Sequence, residues 1–131
     1  MEIINPITWA QPKGYNNGIK TGAGQLVFIA GQVAWDANQQ IVGREDFARQ
    51  FDQALANVLT VLKEAGGQPG QLVKLTIFVT DKEAYQRQQK EIGQAYRQRM
   101  GKHFPAMTLV EIKSLLEAGA MIEIEAMAVI E

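Results

Sequence analysis

The most regular apolar pattern in the chain lies between residues 46 and 65. Its apolar side chains recur every three or four positions, at Phe47, Phe51, Leu55, Val58, Leu59 and Leu62. This spacing puts them on one face of a helix, so it predicts an amphipathic α-helix from about Asp46 to Ala65. Gly66 and Gly67 follow, and glycine readily adopts the positive φ at which many helices end.

A second pattern, of period two, predicts strands. In QLVKLTIFVT, residues 71–80, Val73, Leu75, Ile77 and Val79 alternate with Lys74, Thr76, Phe78 and Thr80. Such alternation indicates a strand with one face on the core. A short strand is expected at Glu2–Ile4, before Pro6. The segment GIKTGAGQLVFIAGQVAW predicts a hairpin with arms at 18–21 and 26–33, turned by the glycines of GAG.

The remaining third of the chain predicts one more helix and two strands. Asp81 can accept hydrogen bonds from the free N–H groups of a helix that runs to about Met100, and Gly101 follows it. The inner face of this helix would carry Tyr85, Ile92, Tyr96 and Met100. The strands are predicted at about 107–112 and 120–130, after Pro105.

The predicted order β-β-β-α-β-α-β-β favours an α+β fold, with an antiparallel-rich sheet and helices on one side. No internal repeat, low-complexity tract or linker interrupts it, and 131 residues suit one domain. We therefore expect a single domain over residues 1–131. No apolar run approaches the ~20 residues that a membrane span needs, so we expect no membrane association.

The last strand is apolar on both faces. One face carries Ile122, Ile124, Ala126, Ala128 and Ile130, and the other carries Met121, Glu123, Glu125, Met127 and Val129. The isoleucine face should pack on the helices. The second face suggests a homo-oligomer whose sheets pack together, because broad exposed apolar patches usually mark interfaces. The alternative is an ordinary amphipathic sheet with singly exposed methionines. Met107, Leu109 and Glu111 are expected to share the open face in the same way.

Composition narrows the chemistry. Thirteen basic and 14 acidic residues give a net charge of −1, which is not the basic signature of a nucleic-acid binder. The chain has no cysteine, one serine (Ser114) and one histidine (His103), so we expect no disulfide, metal site or cofactor. No signal peptide is evident, which favours a cytoplasmic location. An enzyme with this inventory must act on an already reactive substrate, using positioning, carboxylates and water.

Four segments together resemble one family: GQLVFIAGQVAWD, GQLVKLTIFVTD, FPAMTLVEI and MIEIEAMAVI. Their order and spacing are similar to those of the Rid (reactive intermediate deaminase) family, also called YjgF or endoribonuclease L-PSP. The resemblance spans nearly the whole chain and implies a chorismate-mutase-like fold. It also implies a homotrimer with a central barrel of sheets and three pockets between subunits. The implied activity is hydrolysis of enamines and imines, which pyridoxal-phosphate enzymes produce, to ketoacids and ammonia.

The resemblance also assigns candidate site residues. Glu123 matches the glutamate of the IEIE stretch that positions the attacking water, so it is the catalytic candidate. Tyr15 matches a tyrosine of the N-terminal loop, and Gly31 matches a glycine of the pocket strand. Ala30 stands where a serine or threonine is common.

Met107 is the main departure, because it replaces the arginine that follows FPA and binds the substrate carboxylate. Thr108 and Leu109, which follow it, complete the expected substrate-binding set. A thioether cannot form the two parallel charge-assisted hydrogen bonds of a guanidinium. Because one hydrogen bond to a charged group contributes about 1.5–3 kcal/mol, binding of a 2-imino acid should weaken at least about ten- to a hundredfold.

Three hypotheses follow from Met107. The preferred one is hydrolysis of an enamine or imine that lacks a carboxylate at that position. In the second, another cation reaches the cleft, with Lys20, Arg44 and Arg97 as candidates. In the third, the protein binds a small metabolite or a partner without catalysis.

Structural alternatives remain beside these assignments. Glu123 could be a purely structural carboxylate, and Tyr15 could serve only to pack the N-terminal loop. His103 is expected at a helix end and outside the site. A basic run comprises Arg87, Lys90, Arg97, Arg99 and Lys102. Glutamates interrupt it, so a solvated helix face explains it better than RNA binding, and we rank RNA cleavage lowest.

Overall fold

A computed structural model describes all residues, 1–131. Its strands are β1 (Glu2–Ile4), β2 (Gly18–Lys20), β3 (Gln25–Gln32), β4 (Leu72–Val79), β5 (Ala106–Glu111) and β6 (Ile122–Ile130). Its helices are α1 (Phe47–Glu64), α2 (Lys82–Arg87) and α3 (Gln89–Met100), with a 3₁₀ turn at Pro69–Gln71. This architecture confirms the predicted α+β class. None of the helices is both long and apolar enough to span a bilayer.

Four strands form the main sheet in the order β3-β6-β4-β5, and only the β4–β5 pair is parallel. The predicted hairpin between residues 18–21 and 26–33 is wrong. β2 instead pairs with β1, with Ile19 opposite Ile3, and β3 pairs with β6. β6 has nine residues whose alternation matches that of the eight-residue β3. It therefore offers β3 far more hydrogen bonds than the three-residue β2 can.

Helix α1 begins and ends where the sequence predicts. The Asp46 carboxylate accepts a hydrogen bond from the backbone N–H of Arg49 at 3.2 Å, which satisfies one free donor of the first turn. At the other end, Gly66 has a φ of 86°, and the N–H of Gly67 donates to the carbonyl of Leu62 at 2.9 Å. This is the Schellman ending. The apolar stripe between these ends faces the sheet.

The predicted second helix is interrupted. Asp81 caps it as expected, accepting from the N–H groups of Glu83 and Ala84 at 3.0 and 3.3 Å. The helix then breaks at Gln88, whose φ of −109° separates α2 from α3. The Gln88 side chain turns to α1, where its oxygen accepts from the N–H of Ala48 at 3.0 Å. The break thus provides a partner for another free donor in the first turn of α1.

The two faces of the main sheet differ. On the helix side the side chains are fully buried or nearly so: Leu72, Leu75, Ile77, Val79, Ile122, Ile124, Ala126 and Ala128. The alternation predicted to include Val73 shifts to Leu72, because the β4–β6 register slips between Leu72 and Lys74. On the other face Phe28 is 69% exposed and Leu26 is 60% exposed.

Candidate functional site

Glu123 and Gly31 meet on the open face of the sheet. The pairing of β3 with β6 shifts between Ile29 and Gln32, so Ala30 and Gly31 form a bulge beside β6. A Cβ atom on Gly31 would lie 2.8 Å from the carboxyl carbon of Glu123 and 2.9 Å from its Cγ. Any side chain at position 31 would therefore displace the carboxylate, because real Cβ contacts do not come this close.

The Glu123 carboxylate has no protein partner. It is half-buried, yet it forms no hydrogen bond or ion pair within the chain. Glu111 differs, because its Oε1 accepts from the backbone N–H of Lys82 at 3.0 Å and so serves the first turn of α2. Glu125, two residues along the same strand and on the same face as Glu123, is exposed. A sheltered acceptor without a partner is available to a water molecule or a ligand.

The N-terminal loop is held against the FPA turn. The backbone N–H of Asn16 donates to the carbonyl of Pro105 at 3.2 Å, and the Asn16 side chain donates to the carbonyl of Phe104. A short parallel bridge joins Asn16 to Ala106. These contacts position the neighbouring Tyr15, which is 41% exposed, close to the start of β5.

Met107 lies on the helix side of the sheet, which corrects the expectation that it shares the open face. In the parallel pair, Met107 is opposite the buried Leu75, and Leu109 is opposite the buried Ile77. Opposite residues in paired strands point to the same face, so Met107 and Leu109 both pack against the core. Thr108 points to the open face, where its hydroxyl accepts from Nζ of Lys74 at 3.0 Å.

Met107 forms part of the wall of a cavity of about 460 Å³. The cavity is lined by Lys13, Gly14, Phe51, Ile77, Tyr85, Gln89, Ile92, Gly93, Tyr96, Arg97, Phe104 and Met107. Arg97 is thus the one candidate cation of the three that lines the same cavity as Met107. Arg44 lies at a separate depression beside Gly119, and Lys20 lies on β2 opposite Glu2.

Tyr96 is one of the aromatic side chains that line this cavity. Its hydroxyl donates to the carbonyl of His103 at 2.6 Å, and its ring stacks on Phe104 with centroids 5.0 Å apart. Burial raises the pKa of Tyr96, so the phenol stays neutral. His103 is fixed in turn by a 2.7 Å contact between Nε2 and the carbonyl of Leu72. Nowhere does the chain gather three His, Asp or Glu side chains that could hold a metal ion.

The candidate residues fall into two groups within one chain. Glu123 is three residues along β6 from Ala126, which is joined through Leu75 to Met107 two strands away. From ~3.4 Å per residue and ~4.8 Å per strand, their Cα atoms are roughly 14 Å apart. Their side chains also point to opposite faces. A single chain therefore does not bring Glu123 and Met107 to one ligand.

Sequence reasoning did not identify the cavity itself. The sequence feature that could have indicated the cavity is Gly93, which lies inside α3 four residues before Arg97. Glycine in a helix interior costs about 0.5–1 kcal/mol relative to alanine, so it indicates a local need for space.

Comparison with known proteins agrees with this architecture. The family model described as Endoribonuclease L-PSP matches residues 8–130. The chain is 32% identical over 128 residues to a RutC family protein of Pyrococcus horikoshii, covering 97% of this chain and 96% of that one. It is 34% identical over 118 residues to the 2-iminobutanoate/2-iminopropanoate deaminase of Salmonella typhimurium, with 88% and 86% covered. The crystal structure of the Rid family protein YyfB from Yersinia pestis superimposes with a TM-score of 0.88 at 32% identity, covering 98% of both chains. The chain therefore belongs to the endoribonuclease L-PSP family, the family also known as YjgF or Rid.

Proposed function

We propose that this protein hydrolyses a reactive imine or enamine to a carbonyl compound and ammonia, with Glu123 as the catalytic residue. The observation that carries the proposal is the carboxylate of Glu123, which lies over Gly31 without a partner in the chain. The relative from Salmonella typhimurium, at 34% identity, is named as a deaminase of imines. A carboxylate without a partner is available to act as the general base that activates a water molecule.

The site is proposed to form between subunits of a homotrimer. Glu123 and Met107 are on opposite faces of one chain, so both can contact one ligand only if different copies contribute them. The open face that carries Glu123 also exposes Phe28, Leu26 and, at its edge, Val110. Covering such apolar side chains favours association by about 25 cal/mol per Å² of apolar surface buried.

The proposed hydrolysis needs only a bound water molecule and one carboxylate that can accept and donate protons. A water molecule that donates a hydrogen bond to Glu123 attacks the carbon of the C=N bond, and Glu123 accepts its proton. The carboxyl group then returns that proton to the nitrogen, which gives a neutral carbinolamine. The Glu123 carboxylate next accepts the proton of the carbinolamine hydroxyl and passes it to the amine nitrogen, so the C–N bond breaks, ammonia leaves and the carbonyl forms. An enamine first takes a proton on carbon to become the imine. General acid–base assistance of this kind contributes typically 10²–10⁴-fold in rate.

The substrate is proposed to lack the carboxylate position of the usual 2-imino acids. Met107 lines one cavity with Phe51, Ile77 and Phe104, and its thioether has no donor for a carboxylate at that position. A charge carried farther along the substrate, or no charge at all, suits the position better.

The test is ammonia and carbonyl release from imines generated in situ by an amine oxidase, whose products carry no carboxylate at the imine carbon. Wild type should accelerate release, and Glu123→Gln should reduce the rate at least ~10²-fold because glutamine cannot accept the proton. Glu125→Gln is the matched control, since Glu125 is exposed on the same face of the same strand. Its rate should stay close to that of wild type.

Two outcomes would contradict the proposal. Equal rates in wild type and Glu123→Gln would remove Glu123 from the mechanism. No acceleration of any imine, together with a metabolite-dependent rise in melting temperature, would replace deamination by metabolite binding without turnover.

RNA cleavage remains the lowest-ranked function despite the family description. Within the basic run, Arg87 lies 3.8 Å from Asp81, and Arg99 forms a two-bonded pair with Asp52 at 2.6 and 3.1 Å. Two of the five basic side chains of the run are therefore compensated within the chain, which weakens it as a surface for a phosphate backbone.

A further inference from the structure

The cavity beside Met107 combines an apolar wall with positive charge and no negative charge. Phe51, Tyr96, Phe104 and other apolar or aromatic side chains form the wall, and Lys13 and Arg97 are the only charged residues that line it. No carboxylate lines it. The hydroxyl of Tyr96 is already committed to the carbonyl of His103.

Arg97 is free to act on a ligand. Its guanidinium forms no hydrogen bond or ion pair within the chain. Arg99, one half-turn along α3, instead donates two hydrogen bonds to Asp52. The two arginines therefore have different roles. Arg99 connects α3 to α1, and the five N–H donors of Arg97 at the cavity are without a partner in the chain.

Gly93 makes room for this arrangement. A Cβ atom at position 93 would lie 3.2 Å from Nη1 of Arg97, so the guanidinium lies across the surface that a side chain would otherwise occupy. Gly93 and Arg97 are four residues apart and share one face of α3. Both line the cavity, so the exposed Arg97 side chain bends back over the helix-interior glycine and places its guanidinium at the cavity.

We infer that this cavity binds an organic anion with an apolar or aromatic body, and that Arg97 holds its charged group. Arg97 comes from α3, whereas position 107 is on β5. The charged group of the anion is therefore held by a helix residue and not by the β5 position that Met107 occupies. Lys13 adds a second positive charge at the mouth of the cavity.

The inference deepens the proposed function, because Met107 belongs to both sites, but it is tested by binding alone. Calorimetric titration of the intact protein with phenylacetate measures the anion and the aromatic body together. Phenylacetamide has the same shape without the charge, and acetate has the charge without the ring. We expect phenylacetate to bind at least tenfold more tightly than either.

The variant Arg97→Gln should reduce phenylacetate affinity at least tenfold and leave phenylacetamide affinity unchanged. Lys63→Gln is the charge-matched control. Lys63 is in the last turn of α1, twelve residues and roughly 18 Å along the helix from Phe51 of the cavity wall. It should leave both affinities unchanged.

Equal binding of phenylacetate and phenylacetamide, absence of phenylacetate binding, or an unchanged affinity in folded Arg97→Gln would each overturn the inference. Its failure is distinguishable from failure of the proposed function. If phenylacetate binding depends on Arg97 but no imine is turned over, the inferred anion site stands and the proposed deaminase activity is refuted. Turnover that depends on Glu123 but not on Arg97 would do the reverse.

Discussion

The two faces of the main sheet differ in how far their side chains are buried and in whether their polar groups have partners. On the helix side, side chains such as Leu55, Leu75 and Ile124 are buried completely or nearly so, and the polar Gln50 is fully buried with hydrogen-bond partners. On the open side, Phe28 and Leu26 are mostly exposed and Glu123 has no partner.

The difference shows which face a single chain completes by itself. Gln50 donates to the carbonyl of Gly119 at 2.9 Å and accepts from the N–H of Met121 at 2.8 Å, so even its buried amide is satisfied internally. The open face instead leaves the apolar Phe28 and Leu26 mostly exposed and the Glu123 carboxylate without a partner. Such a combination is typical of a surface that a partner covers.

The largest effect should come from a deletion on the helix side. Leu55→Ala removes a fully buried side chain between α1 and the sheet, and such changes cost about 2–5 kcal/mol of unfolding free energy. The comparison is with Leu26→Ala, which removes the same atoms from a side chain that is 60% exposed. Urea denaturation at one fixed protein concentration measures both. Equal losses in the two variants would contradict the contrast between the faces.

The next largest effect concerns assembly. Phe28→Glu places a charge in the apolar part of the open face, where a covering subunit would have to desolvate it. Native mass measurement should then find single copies in place of three, while circular dichroism remains that of a folded chain. Leu116→Glu is the control, because Leu116 is fully exposed in the loop before β6. A wild-type protein that is already a single copy would refute the proposed trimer.

The sequence predicted the elements better than their partners. The repeats of α1 and β6 are local, so both elements were predicted correctly, as was the cap of α2 at Asp81. The pairing of β3 with β6 joins residues about a hundred positions apart, and no local pattern records it. The face of Met107 failed for the same reason, because parallel pairing with β4 decides it.

The candidate site was predictable in part. The resemblance identified Glu123 and Gly31, and the close approach of their atoms is a property of the β3 bulge that the sequence does not encode locally. Arg97 was one of three candidate cations, and only the packing of α3 over β5 distinguishes it from Lys20 and Arg44.

A smaller effect is expected at Tyr96, which joins α3 to the turn before β5. Tyr96→Phe removes the hydrogen bond to the carbonyl of His103 and should cost about 1 kcal/mol. Because burial raises the pKa of Tyr96 in the folded state, an unfolded chain loses this proton first, at about pH 10. The contribution of Tyr96 is therefore complete below about pH 10 and declines as the pH rises further.

Urea denaturation across the alkaline range checks this sign. The free energy of unfolding should fall more steeply with pH in wild type than in Tyr96→Phe, and the two should show parallel profiles below about pH 9. A steeper alkaline decline in the variant would mean that the buried phenol is not the group responsible.

The smallest effect is also the sharpest test of Gly93. Alanine in a helix interior is about 0.5–1 kcal/mol more favourable than glycine, so Gly93→Ala should raise the free energy of unfolding slightly. The new Cβ would lie 3.2 Å from Nη1 of Arg97, closer than ordinary contact, and would shift the guanidinium within the cavity. Phenylacetate affinity should then fall a few-fold while phenylacetamide affinity holds. Ala95→Gly, elsewhere in α3 and outside the cavity lining, should do the opposite: lower stability and unchanged binding. If Gly93→Ala stabilises the chain and leaves phenylacetate affinity intact, the glycine serves no ligand, and Arg97 reaches the cavity without its help.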